Sequence, residues 1–153
     1  MKKTSTGSQK PPKTPENTAS EVQTLGNFVE FAAERFRESG VAYGHGTDNE
    51  IDEAAFIALE GLGLPIDDLD GNWDRILNEE ERGRLLALAD MRITTRKPAS
   101  YLLNKAYIQG LPFYVDERVI VPRSFIAEIL CSENGFSGIP DYESVNSVLD
   151  LCT

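Results

Sequence analysis

KPASYLLNKAYIQGLPFYVDERVIVPRS, residues 97–124, is where this chain changes character. Before it, apolar residues recur at the three-to-four spacing of helices. Within it they fall into short β-branched or aromatic runs. Pro98 suits the first position of a short helix, with Tyr101 and Leu102 facing inward. The runs 106–109, 113–115 and 119–121 read as strands. Gly110-Leu111-Pro112 separates the first two, and Asp116-Glu117-Arg118 the second and third. That predicts a β-hairpin or small meander.

Upstream, order begins near Ser20, which forms a capping-box pattern with Gln23. Leu25, Phe28, Val29, Ala32 and Phe36 make a helical stripe that Gly40 ends. The loop Tyr43-Gly44-His45-Gly46 follows. Thr47 and Glu50 form a second capping-box pattern before Ile51, Ala54, Ala55, Ala58, Leu59 and Leu62, a helix stopped by Gly61 and Gly63. Trp73, Ile76 and Leu77 fit a short third helix. Asn78 with Glu81 caps a fourth, carrying Leu85, Leu86, Leu88, Ala89 and Met91. Downstream, Ser124 suits the cap of a helix through Ile126, Ile129 and Leu130. Val148 to Cys152 reads as a short buried strand of the kind that opens a doubly wound α/β sheet. The fold class is α+β: a helical bundle, a hairpin, and the first helix and strand of an α/β domain. No internal repeat is present.

The 153 residues carry a net charge of −10 and a sequence pI of about 4.6. Residues 1–19 hold four lysines against one glutamate, +3, which leaves −13 for the rest. This tail, with Pro11, Pro12 and Pro15 and almost no apolar side chains, reads as disordered, because it cannot offset its ordering entropy by burial. The acidic body does not suit direct DNA binding, since phosphate repels it. It suits solubility or a basic protein partner. Cys131 and Cys152 form no CxxC, which fits a reducing cytosol. No apolar run reaches the roughly 18 residues of a membrane span, and no apolar segment follows the N-terminal lysines as a secretory signal requires.

No catalytic set can be assembled from these residues. His45 is the sole histidine and reads as an exposed loop residue. Glu79-Glu80-Glu81 is explained by the helix dipole, which favours acids in a first turn. Asp67-Asp68-Asp70 lacks the spacing of a calcium loop. No metal ligands are assigned.

Ordered features extend from residue 97 to the end. Pro98-Ala99-Ser100-Tyr101-Leu102 opens the series, and Gly110-Leu111-Pro112-Phe113-Tyr114-Val115 and Val121-Pro122-Arg123 follow. Val148-Leu149-Asp150-Leu151-Cys152-Thr153 comes about 25 residues later. This set resembles the N-terminal portion of the protein-(glutamine-N5) methyltransferases, which methylate a glutamine side-chain amide of translation proteins with S-adenosylmethionine. The resemblance covers roughly residues 20–153. One branch of that family acts on peptide-chain release factors and another on the large-subunit ribosomal protein uL3. Ser124 after Arg123, Asn104-Lys105-Ala106, Phe113 through Val119 and Asp70-Gly71-Asn72-Trp73 resemble the ribosomal-protein branch. Phe125 departs from it where proline is frequent, and Ile108 where an aromatic is common.

The resemblance implies a division into a tail, 1–19, a helical substrate-recognition domain, 20–104, a hairpin linker, 105–124, and the start of a truncated Rossmann-like, S-adenosylmethionine-dependent domain, 125–153. It implies a basic ribosomal protein as partner and the cytoplasm as location. It places Asp150, Cys152 and Thr153 beside the methionine end of the cofactor, and Pro122 and Arg123 on the segment passing over it. Two alternatives stay open: Arg123 as an ion pair tying the hairpin to the α/β domain, and Asp150 as a brace for loop N–H groups. The family's Asn-Pro-Pro-Tyr loop, which orients the amide, does not occur in these 153 residues, so the chain alone is expected to be inactive. Three other readings remain: a release-factor methyltransferase, a non-catalytic helical protein-binding module, and a nucleic-acid methyltransferase.

Overall fold

A computed structural model describes residues 22–44, 46–123, 125–131, 145–147 and 149. The expected tail, Ser20, His45, Ser124 and the terminal strand with Asp150, Cys152 and Thr153 lie outside the described residues, apart from Leu149 of that strand, which is exposed and not in a strand.

The apolar stripe of the first helix, α1 (Leu25–Glu38), is buried as its spacing requires, with Leu25, Phe28, Ala32 and Phe36 at zero exposure. Its cap is not the expected Ser20–Gln23 box. The Thr24 hydroxyl accepts from the Asn27 N–H, and the Asn27 side chain accepts from the Thr24 N–H, both at 3.2 Å. Gly40, at φ +59°, closes the helix as expected. In α2 (Glu50–Leu62) the cap is Asn49, whose side chain accepts from Ile51 and Asp52. The expected Thr47–Glu50 box does not form, because the helix begins at Glu50 and Thr47 lies two places before its cap; Thr47 instead donates to Glu53 at 2.6 Å, and Glu50 holds Arg37. Gly63 ends α2 at φ +68°, whereas Gly61 lies inside the helix beneath Leu85 and Leu88.

The expected helix over Trp73, Ile76 and Leu77 is displaced. A single turn, α3 (Leu69–Asn72), precedes it, capped by Asp68. The backbone of residues 75–77 instead pairs with the start of α1. Ile76 bridges Thr24, Leu25 donates to the Arg75 carbonyl at 2.9 Å, and Leu77 donates to the Gln23 carbonyl at 2.9 Å. Only Leu77 of that stretch is buried, and Ile76 is exposed. The Asn78–Glu81 box does open α4 (Glu79–Thr95), with both hydrogen bonds formed. Arg75 and the Asn78 N–H hold the Glu81 carboxyl below its ordinary range. Leu85, Leu88 and Ala89 face the core, and Met91 is exposed. α1, α2 and α4 therefore share one core, in which each fully buried Leu, Ile or Phe contributes about 1.5–3 kcal/mol.

Pro98 caps α5 (Ala99–Leu103), one place earlier than expected. Ala99 and Ser100 are its buried residues, while Tyr101 and Leu102 are half-buried. Asn104, at φ +54°, turns the chain into β1 (Lys105–Ile108), which pairs antiparallel with β2 (Leu111–Tyr114). Gln109 and Gly110 both have positive φ, the requirement of a two-residue primed turn. Leu111 and Pro112 belong to β2 rather than to the turn, and Pro112 is tolerated because β2 is an edge strand. The expected third strand, 119–121, does not form. Asp116 accepts from the Arg118 N–H and from its guanidinium, folding the chain into a turn. Tyr101 then donates to the Val119 carbonyl at 2.7 Å, and Val121 packs with Ala106 and Val115 in a second small cluster. The last helix, α6 (Phe125–Cys131), matches its expected position. The fold is α+β, with helices and a two-stranded antiparallel hairpin.

Candidate functional site

The hairpin is tied to one face of α2. Phe56 and Glu60, one turn apart, both touch Tyr107 of β1. The Phe56 and Tyr107 rings meet edge to face at 6.4 Å, and the Tyr107 hydroxyl donates to Glu60. Lys105 donates to the other Glu60 oxygen at 2.9 Å. Burial and the Glu60 carboxylate together push the Tyr107 hydroxyl up from its ordinary value. The same carboxylate raises Lys105. Tyr107 is thus a protonated donor. Its contribution is present below the ordinary tyrosine range, near pH 10, and is lost as pH climbs through the raised folded value. Replacing Tyr107 with Phe removes one charge-assisted bond, a loss of about 1–2 kcal/mol. Amides of β1 and β2 should then exchange with deuterium faster, while those of α1 do not. Unchanged hairpin exchange would show that Tyr107 is not the anchor.

A second carboxylate organises the base of the same junction. Glu53 and Arg92 are both buried, at 2.6 Å. Glu53 also accepts from the Ala99 N–H at 3.0 Å and from Thr47, and Arg92 donates to the Ala42 carbonyl at 2.7 Å. One carboxylate therefore fixes α4, the start of α5 and the loop before α2.

Between these two anchors is a cavity of about 140 Å³. Phe56, Ile66, Ala99, Tyr107, Val121 and Pro122 form much of its wall. Of the five residues singled out from the sequence, Pro122 lines this cavity. Arg123 lies beside it and donates to the Gly44 carbonyl at 3.2 Å, linking the segment after the hairpin to the α1–α2 loop. The α/β domain to which the considered ion pair would tie Arg123 lies largely outside the described residues. Asp150, Cys152 and Thr153 are outside the described residues. No residue of the cavity wall is a carboxylate that could accept ribose hydroxyls, so these walls alone do not fit S-adenosylmethionine. Among the described residues, no helix is long and apolar enough to cross a membrane.

Sequence reasoning missed Glu53, Glu60 and Arg92. A signal was there: Glu53 sits beside Ala54 and one turn before Ile57, and Arg92 continues the Leu85–Leu88–Ala89 stripe. A charge on a buried stripe requires a buried partner.

The chain is 46% identical over 138 residues to the ribosomal protein uL3 glutamine methyltransferase of Bradyrhizobium diazoefficiens, covering 87% of this chain and 43% of that protein. It is 45% identical over 137 residues to the protein of the same name from Bordetella pertussis, covering 90% and 46%. It is 45% identical over 136 residues to that from Neisseria meningitidis serogroup B, covering 88% and 44%. The resemblance read from residues 97 onward is borne out, including its branch. The chain spans less than half the length of these curated relatives. No family profile and no solved structure matches it.

Proposed function

We propose that this chain is the substrate-recognition portion of a ribosomal protein uL3 glutamine methyltransferase. The observation that carries the reading is its identity of about 45% to proteins of that name over nearly nine-tenths of its length. In this reading residues 20–104 recognise the substrate and 105–124 link them to a Rossmann-like domain that begins at 125. S-adenosylmethionine is the methyl donor, and the cytoplasm, where ribosomal proteins are made, is the setting.

The chemistry explains why such a protein separates recognition from reaction. An amide nitrogen is a weak nucleophile, because its lone pair is delocalised into the carbonyl. Rate then comes mostly from holding that nitrogen in line with the methyl–sulfonium bond, and misplacement of about 1 Å costs on the order of 100-fold. A rigid recognition half supports that alignment. The Glu53–Arg92 and Glu60–Tyr107 anchors tie this half together up to the hairpin. Pro122 and Arg123 lie where the chain leaves the hairpin for α6, and in this reading they border the cofactor from the linker side. Asp150, Cys152 and Thr153 border its methionine end.

A protein of the relatives' length carrying this chain is expected to transfer tritium from labelled S-adenosylmethionine to a glutamine of uL3. Transfer to a release factor and not to uL3 would overturn the branch. Residues 1–153 alone are expected to transfer nothing. Tight binding of S-adenosylmethionine to them in a calorimetric titration would show that the cofactor site is already complete.

A further inference from the structure

From residue 46 to residue 74 the chain has nine carboxylates and neither lysine nor arginine. Three of the nine are neutralised by residues from elsewhere: Glu50 by Arg37, Glu53 by Arg92 and Glu60 by Lys105. The others are aspartates, all exposed, and none has a cationic partner among the described residues. Five of these six, all but Asp74, lie in or beside the wall of one groove. Asp52 lines a groove of about 300 Å³ whose floor is Ala55, Phe56, Leu59, Ile66 and Leu69. Asp48 flanks Thr47, which is also in the wall, and Asp67, Asp68 and Asp70 flank Ile66 and Leu69. Thr47, Phe56 and Ile66 are shared with the cavity at the hairpin junction, so groove and cavity adjoin.

An apolar floor alone would suit many occupants. The rim selects among them. Nucleic acid and anionic membranes are repelled by such a rim, and so is the body of a second copy, which carries −13 outside residues 1–19. We propose that the groove seats an extended, lysine- or arginine-rich segment of the protein substrate, with one apolar side chain lodged between Phe56, Ile66 and Leu69. Ribosomal proteins supply that chemistry, because they are basic where they bind RNA phosphate. The inference rests on the proposed function and adds to it the surface that recognises the substrate. The aspartates steer the encounter, so they act mainly on the association rate and its salt dependence, while the apolar seat sets the residence time.

The test is binding of labelled, purified uL3 to residues 1–153 by fluorescence anisotropy at two salt concentrations. Ile66→Glu is expected to weaken binding by about tenfold or more, the scale of a lost apolar anchor. Asp48→Asn/Asp67→Asn/Asp70→Asn is expected to weaken it at low salt and to flatten its salt dependence. Glu30→Gln/Glu79→Gln/Glu80→Gln makes the same change in net charge away from the groove and should bind nearly as the parent chain. Asp68 is left intact because it caps α3, and circular dichroism confirms that each variant is folded. Equal binding by the parent chain and both groove variants overturns the groove. So does equal weakening by the control triple, which would reduce the effect to net charge, and so does absence of uL3 binding by the parent chain. A dimer by sedimentation that Ile66→Glu dissolves, with uL3 binding unchanged, would assign the groove to a second copy. The function stands or falls separately, on methyl transfer to uL3 by the longer protein, so the two failures are distinguishable.

Discussion

Replacing Glu53 with Ala is expected to lower the free energy of unfolding by about 3–5 kcal/mol, the scale for removing one partner of a buried ion pair. A domain of this size has only about 5–15 kcal/mol in total. Three losses coincide. The Arg92 guanidinium, 2% exposed, loses the one carboxylate it pairs with among the described residues and keeps the Ala42 carbonyl. The buried Ala99 N–H at the start of α5 loses its acceptor. The Thr47 hydroxyl loses the bond that fixes the loop before α2. Urea unfolding followed by circular dichroism measures the sum.

A double-mutant cycle separates a costly orphan charge from a favourable pair. Arg92→Leu alone leaves Glu53 buried with two neutral donors and should cost nearly as much as Glu53→Ala. Glu53→Leu with Arg92→Leu removes both charges together and should cost clearly less than the two single changes added. Additive costs would mean that each residue acts through its own packing and that the pair is not a unit. Should Glu53→Ala fail to fold, Glu53→Gln keeps the shape and most acceptor geometry, and it still exposes the uncompensated charge of Arg92.

This pair also shows what could be read from the chain and what could not. The stripes of α1 and α4, the Asn78–Glu81 box, the stops at Gly40 and Gly63 and the hairpin follow from local rules, which act over one or two turns. Each was legible. The misreadings arise where a distant residue outbids a near one. Thr47 is a sound cap by its neighbours, but the helix starts two places later at the Asn49 cap, and Thr47 turns to the distant Glu53. Residues 75–77 have helical spacing, but the unpaired backbone at the start of α1 draws them into a bridge. The run 119–121 has strand composition, but the turn at Asp116 and the bond from Tyr101 direct it back onto α5. The groove was the least legible feature. Its aspartates are visible in the sequence as two separate clusters, and only the fold sets Asp52 and the Asp67–Asp70 turn along one apolar floor.

The junction between Trp73 and the start of α1 makes a sharper test, because one substitution should have opposite signs at two glycines. A Cβ on Gly26 would lie 2.5, 2.6 and 2.7 Å from three atoms of the Trp73 indole, far inside contact distance. The ring has little freedom to retreat. Its own carbonyl accepts from the Gly26 N–H at 2.8 Å, and Leu25 holds the Arg75 carbonyl two residues on. Gly26→Ala is therefore expected to cost about 1–3 kcal/mol from overpacking, reduced by up to about 1 kcal/mol because alanine is the better helix former. Trp73 is the sole tryptophan, so its emission should shift to the red as the ring is displaced toward water. Gly83, in the exposed interior of α4, has nothing within 4 Å of an added Cβ. There only the helix term remains, and Gly83→Ala should stabilise the protein by about 0.5–1 kcal/mol with no change in emission. If Gly26→Ala stabilises to the same degree as Gly83→Ala, the indole is not packed on that glycine, and the start of α1 is not held by the residue 73–77 segment as described.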